Sequence, residues 1–220
     1  MEKVESFKCK LVTWEEIAQW TEKVCQSLDR DHNKPTVIIG LTRGGWVPAR
    51  LLCDHLKVKK LYAVKTEHWG VTANQDGKAL LTQELNTSIA NENVIIVDDI
   101  TDTGESLTLA LGHIKEHKPK SLKSVTLLHI DHSKIEPDYF AVRVPKEDWT
   151  WFIFPWNVHE DLRTLLPKTL YEPKDIAGIQ AGFRDQFQID VSEYMVRDTL
   201  ANLESDGRVV KKGKNWSKAG

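Results

Sequence analysis

Val94-Ile95-Ile96-Val97 is an uninterrupted apolar run that stops at two adjacent acids, Asp98 and Asp99. Gly104 then opens a segment with apolar residues at helical spacing, Leu107, Leu111 and Ile114. A short β-branched run reads as a strand buried on both faces, and the segment after it as the helix that covers one of them. A strand that turns into a helix within a few residues is half of a parallel βαβ unit. The pattern recurs along the chain. TVIIG (36–40), LYAVK (61–65), KSVTLLHI (123–130) and YFAVRV (139–144) read as strands, and residues 11–28 and 46–56 as helices. Alternation of this kind predicts an α/β fold, a mainly parallel sheet flanked by helices, with ligands at the carboxyl ends of the strands.

Composition is consistent with such a core. The 220 residues are 40% hydrophobic and 28% charged, which excludes disorder across the chain. A net charge of −2 offers no overall attraction for nucleic acid. Cys9, Cys25 and Cys53 show no paired spacing, so neither a disulfide framework nor a cysteine zinc site is expected. No apolar run reaches the ~18 residues of a membrane span, and MEKVESFKCK lacks the apolar block of a signal peptide. The expectation is a cytoplasmic protein without membrane partners.

The pattern changes around Pro167 to Pro173. The expected division is a main domain over 1–172 and an appendage over 173–220, read as helix, helix and a hairpin around Gly213. Residues 174–206 carry three basic and seven acidic side chains, and residues 207–220 five basic and none acidic. The appendage reads as either winged-helix-like or a helical cap with a basic tail.

Asp98 and Asp99 should point to opposite faces of their strand, so one can reach a ligand while the other fixes the loop. Thr103-Gly104-Glu105-Ser106 combines a glycine, two hydroxyls and the free N–H groups of a helix start, which makes a phosphate cradle. It matches neither GxxxxGK[ST] nor GxGxxG. Vicinal acids ahead of a phosphate cradle suit a phosphorylated sugar; the plainer reading is an acidic turn that caps a helix.

VIIVDDITDTGESL resembles the phosphoribosyl-pyrophosphate (PRPP) signature of the type I phosphoribosyltransferases, and the resemblance extends over about residues 10–160. It implies that fold, with the C-terminal appendage added. It also implies that Asp98 and Asp99 hold the ribose hydroxyls and, with substrate, Mg²⁺, and that Asp102, Thr103, Gly104, Glu105 and Ser106 surround the 5-phosphate. Glu105 departs from the glycine or lysine common there, so its carboxylate should point away from the phosphate. An acid at Asp102 resembles the 6-oxopurine enzymes, in which it faces N7 of the base; the alternative is a helix N-cap. Leu41-Thr42-Arg43-Gly44-Gly45 resembles the pyrophosphate loop, with a cis peptide expected at Thr42–Arg43 and Lys65 as a further contact. Thr66 to Leu81 resembles the mobile flap.

Trp151 to Trp156 resembles the W-x-x-x-P-W segment of the xanthine–guanine subgroup. This implies that Trp151 stacks on the purine and that Phe152 offers backbone groups, while Trp149 and Trp156 are expected in the core. The subgroup's O6-binding lysine has no counterpart at the end of the 123–130 strand. The nearest lysine there is Lys134, which is expected on the purine side in its place. The implied activity is transfer of phosphoribosyl from PRPP to hypoxanthine, xanthine or guanine in purine salvage, by a homodimer or homotetramer. The alternative is a PRPP-sensing transcription regulator that binds nucleic acid through its appendage. Two other patterns carry less weight. His113 to His117 matches H-x-x-E-H but ends a helix without a third ligand, and His129, Asp131 and His132 read better as a loop beside the base than as metal ligands.

Overall fold

The computed structural model describes residues 5–32, 34–68 and 79–219, which form two compact units. The first, Glu15–Trp149, is built on a six-stranded sheet in the order β4-β3-β2-β5-β6-β7. Its strands are β2 (Val37–Thr42), β3 (Lys60–His68), β4 (Ala79–Gln83), β5 (Asn93–Thr101), β6 (Ser121–Ile130) and β7 (Tyr139–Val144). Five run parallel, and β4 joins the edge antiparallel to β3. The β3–β4 hairpin brackets the region read as the flap, whose residues 69–78 lie outside the described residues.

Strand alternation explains why both faces are covered. Ile38 and Ile95 pack with Val24, Leu28 and Leu52, from helices α1 (Trp14–Arg30) and α2 (Trp46–Leu56). Ile39 and Ile96, one residue on, pack with Leu107, Ala110 and Ile114 of α3 (Glu105–Glu116) on the opposite face. Ile17, Thr21, Val24 and Leu28 form the buried stripe of α1 at the spacing a one-sided helix requires. Each large aliphatic side chain buried in this way contributes about 2 kcal/mol. In the sheet, Val37 lies beside Val94 and Gly40 beside Val97, which brings the carboxyl ends of β2 and β5 together.

The second unit comprises Met1–Trp14 and Thr150–Gly220. In it, β1 (Cys9–Leu11) pairs in parallel with β8 (Trp151–Ile153). Three helices follow, α4 (Val158–Thr169), α5 (Ile176–Phe187) and α6 (Glu193–Ser205), and then the hairpin β9 (Val209–Lys212) and β10 (Asn215–Lys218). Asp175 caps α5 by accepting the Gly178 N–H at 2.8 Å, and Ser192 caps α6 by accepting that of Met195 at 3.2 Å. The helix–helix–hairpin order read from the sequence is present. The expected boundary at 172/173 falls inside this unit, however. Leu162, Leu165 and Leu166 of α4 share one core with Phe183, Phe187, Leu200, Leu203 and Trp216 from beyond it.

All three cysteines are free and buried, and burial pushes the thiols of Cys9 and Cys25 up to about 12 and about 11. Among the described residues no helix is long and apolar enough to cross a membrane.

Candidate active site

Two loops meet where β2 and β5 end. After β2, the Thr42–Arg43 peptide is cis, as expected, and the chain turns through Gly44 and Gly45 into α2. A methyl group on Gly44 would lie 2.2 Å from Oδ2 of Asp99. One on Gly45 would lie 2.2 Å from the Val97 carbonyl oxygen and 2.7 Å from Asp98 Cα. Only hydrogen at these two positions lets the loop rest against the acids. Arg43 is exposed at the turn. Lys65 sits beside Thr42 in the sheet register, and its ammonium is 2.6 Å from Glu67. Hydrogen bonding and charge from Lys65, with a smaller influence of Arg43, hold Glu67 below the usual carboxylate range. Glu67 carries no motif signal, since only the neighbourhood of Lys65 and Arg43 gives it meaning.

Asp98 accepts the Asp99 N–H at 3.0 Å, and Asp99 is buried. Alternation predicts that the two carboxyl groups part, but at the end of the strand they interact. Burial first, then the charge of Asp99, raises Asp98 well above the ordinary aspartate range, against the opposing hydrogen bonds from the N–H groups of Asp99 and Gly45. Crowded carboxylates of this kind favour a proton, sugar hydroxyls or a cation between them. No group of three or more possible metal ligands occurs among the described residues. The pair itself supplies carboxylate oxygens, the donor type that Mg²⁺ accepts.

Beyond β5 the chain enters α3 through Gly104, at φ +80°. A methyl there would come within 2.5 Å of Ile135 Cγ2 and 2.6 Å of Ser133 Oγ. The N-cap of α3 is Gly104, which offers no side-chain cap; a helix start is where anions are favoured. Thr103 contributes a long 3.4 Å contact from the Glu105 N–H to its hydroxyl, and Ser106 is half-buried on the first turn. Asp102 is thus not the cap of this helix, and its carboxylate Oδ1 lies 2.6 Å from Nε2 of His132. Glu105 is bound by Lys134, Nζ to Oε1 2.9 Å, which gives the expected purine-side lysine a different partner.

Trp151 and Phe152 stand on β8 in the other unit. Trp151 is half-buried. Its indole N–H donates to Asp161 at 3.2 Å and its ring lies 5.9 Å from that of Phe7. Phe152, also half-buried, is opposite Lys10 in the β1–β8 register. Trp149 and Trp156, expected in the core, are partly exposed; Trp156 stacks on Phe154 at 4.9 Å. His113 Nε2 accepts the Leu85 N–H at 3.1 Å, which gives the H-x-x-E-H pattern a structural use.

Comparison with known proteins agrees with this geometry. The model of the phosphoribosyl transferase domain matches residues 10–163. A hypoxanthine phosphoribosyltransferase of Buchnera aphidicola is 31% identical over 130 residues, 57% of this chain and 73% of that protein. A xanthine-guanine phosphoribosyltransferase of Idiomarina loihiensis is 27% identical over 149 residues, 67% of this chain and 86% of that one. Among solved structures, a purine phosphoribosyltransferase from Pyrococcus horikoshii superposes with a TM-score of 0.59 at 27% identity, over 68% of this chain and 94% of that chain. The two loops, the paired acids and the helix start all lie within the matched residues, and the chain belongs to the phosphoribosyltransferase family.

Proposed function

We propose that the chain transfers the 5-phosphoribosyl group of PRPP to a 6-oxopurine (hypoxanthine, xanthine or guanine), giving the nucleoside monophosphate and pyrophosphate. The observation that carries this reading is Asp102. It is an acid beside an uncapped phosphate cradle that does not serve as the helix cap. The relatives' names, hypoxanthine and xanthine-guanine phosphoribosyltransferase, point the same way.

In this reading the amides and hydroxyls of Thr103 to Ser106 hold the 5-phosphate, and Asp98 and Asp99 accept hydrogen bonds from the ribose hydroxyls. Arg43 and the Gly44 loop hold the pyrophosphate, with Lys65 at its side. A purine nitrogen forms the bond to C1 as the C1–oxygen bond to pyrophosphate breaks, and that oxygen keeps the electron pair. The nearby carboxylates stabilise the positive charge that develops on the ribose ring. The proton displaced from the imidazole edge of the base passes to Asp102. Mg²⁺, when bound by Asp98 or Asp99 together with substrate, would neutralise pyrophosphate charge. Glu105, engaged by Lys134, is kept from repelling the 5-phosphate.

The test offers PRPP, Mg²⁺ and, separately, hypoxanthine, xanthine, guanine, adenine and orotate, with nucleotide followed by chromatography. Turnover of at least one 6-oxopurine is expected, falling about 100-fold or more in Asp102→Asn. PRPP binding without turnover of any base would overturn the reading and favour a PRPP sensor.

A further inference from the structure

We infer that His132 is a positioning residue for Asp102, fixing the orientation of its carboxylate. This rests on the reading of Asp102 as the proton acceptor. The 130–136 loop is fastened to the 102–105 loop at several points. The Lys134 N–H donates to the Thr103 carbonyl at 3.2 Å, and the Lys134 ammonium binds Glu105 at 2.9 Å. Ser133 and Ile135 fill the space that Gly104 leaves open. Internal bonds stiffen the same loop, from the Ser133 N–H to the Ile130 carbonyl at 3.0 Å and from the Ser133 hydroxyl to the Ile135 carbonyl at 2.9 Å. His132 is therefore delivered to Asp102 by a built support.

The charges on these two loops and on β7 sort into pairs. Asp131 and Glu136 both bind Arg143, at 2.7 and 2.6 Å, and Glu105 binds Lys134. His129, 3.9 Å from Glu136, is buried, and burial followed by the charge of Arg143 holds its pKa below the ordinary histidine value. His132 is the group left against Asp102, 2.6 Å away, with side chains 28% and 37% exposed. Contact with His132 Nε2 occupies one carboxylate oxygen, Oδ1, and leaves the other to the base.

Three variants and one spectrum decide the matter. His132→Ala is expected to lower kcat about 10- to 100-fold, the weight of one polar contact to a charged group. PRPP KM should stay within about twofold. His132→Gln, which keeps an N–H donor, is expected to recover most of the rate. His132→Ala added to Asp102→Asn should cost little more than Asp102→Asn alone. A raised KM for the base at unchanged kcat, additive losses, or wild-type rates in His132→Ala would each overturn the proposal. Unaltered melting of the variants establishes that they fold.

The spectrum needs no turnover. With ¹⁵N-labelled histidine at one fixed pH, the His132 imidazole resonances should differ between the intact protein and Asp102→Asn, because the 2.6 Å contact is changed. Identical His132 resonances in the two would overturn the pairing. Absence of turnover with every base would overturn the proposed reaction instead, and the spectrum would still decide whether the pair forms.

Discussion

Gly44 and Gly45 are neighbours in one loop, yet their Cβ positions meet different things. A methyl on Gly44 would strike the Asp99 carboxylate, and one on Gly45 the Val97 carbonyl and the Asp98 backbone. Gly44→Ala should therefore displace the Asp99 side chain, which in the proposed function holds the ribose. We expect PRPP affinity to fall at least tenfold, measured by calorimetric titration, with the melting temperature little changed. Gly45→Ala must instead move backbone in the centre of the sheet and should destabilise the fold by about 1–3 kcal/mol in urea unfolding. An equal loss of stability in both variants would contradict this division. Both glycines and both acids were legible in the sequence because each motif is local, complete within a few residues of one strand end. The His132–Asp102 contact was not. Thirty residues separate the two, and the spacing of HIDH carries no record of which loop it folds against.

At the scale of elements, long strands and helices declared themselves through periodicity, whereas short ones did not. β1 and β8 are three residues each, too short for alternation to register, and their pairing is visible only in the fold. Helix α4 was obscured by Pro167 in its last turn, where the composition also shifts. Edge strand β7 offers a quantitative test, because Asp138 just ahead of it ties it to β6. Its carboxylate accepts the Ser124 N–H at 2.8 Å, the Ser124 hydroxyl at 2.9 Å and the Lys123 ammonium at 2.7 Å. Partial burial alone would raise its pKa, but Lys123 and Ser124 together hold it below the ordinary value. A folded-state pKa below the unfolded one adds stability that is present above the unfolded value of about 3.9 and lost as pH falls through the folded value. Asp138→Ala should destabilise the protein by about 1 kcal/mol near neutrality. The gap from wild type, followed by urea unfolding, should narrow below about pH 4; a gap that does not change with pH would show that the carboxylate charge contributes nothing.

The whole molecule shows where reading along the chain breaks down. A composition shift near residue 173 marks a change in surface charge and turn content, but a core is defined by which apolar faces meet. Leu162, Leu165 and Leu166 precede the shift, while Phe183, Phe187, Leu200 and Leu203 follow it, and all are buried in one cluster with Cys9 and Ile153. The segments that complete this core come from both ends of the chain. A chain cut after residue 172 keeps the first group and loses the second. At about 2 kcal/mol for each of the four lost side chains, the deficit is on the order of 8 kcal/mol. That is comparable to the entire stability of an ordinary domain. The truncated chain should therefore lose fixed packing in Met1–Trp14 and 150–172. The expected signs are strong binding of a hydrophobic dye, rapid proteolysis of these segments, and loss of the near-ultraviolet dichroism of Trp151 and Trp156. A truncated chain that unfolds cooperatively and keeps the dichroism of those tryptophans would restore the boundary at 172/173, with the last helices and hairpin as a separable appendage.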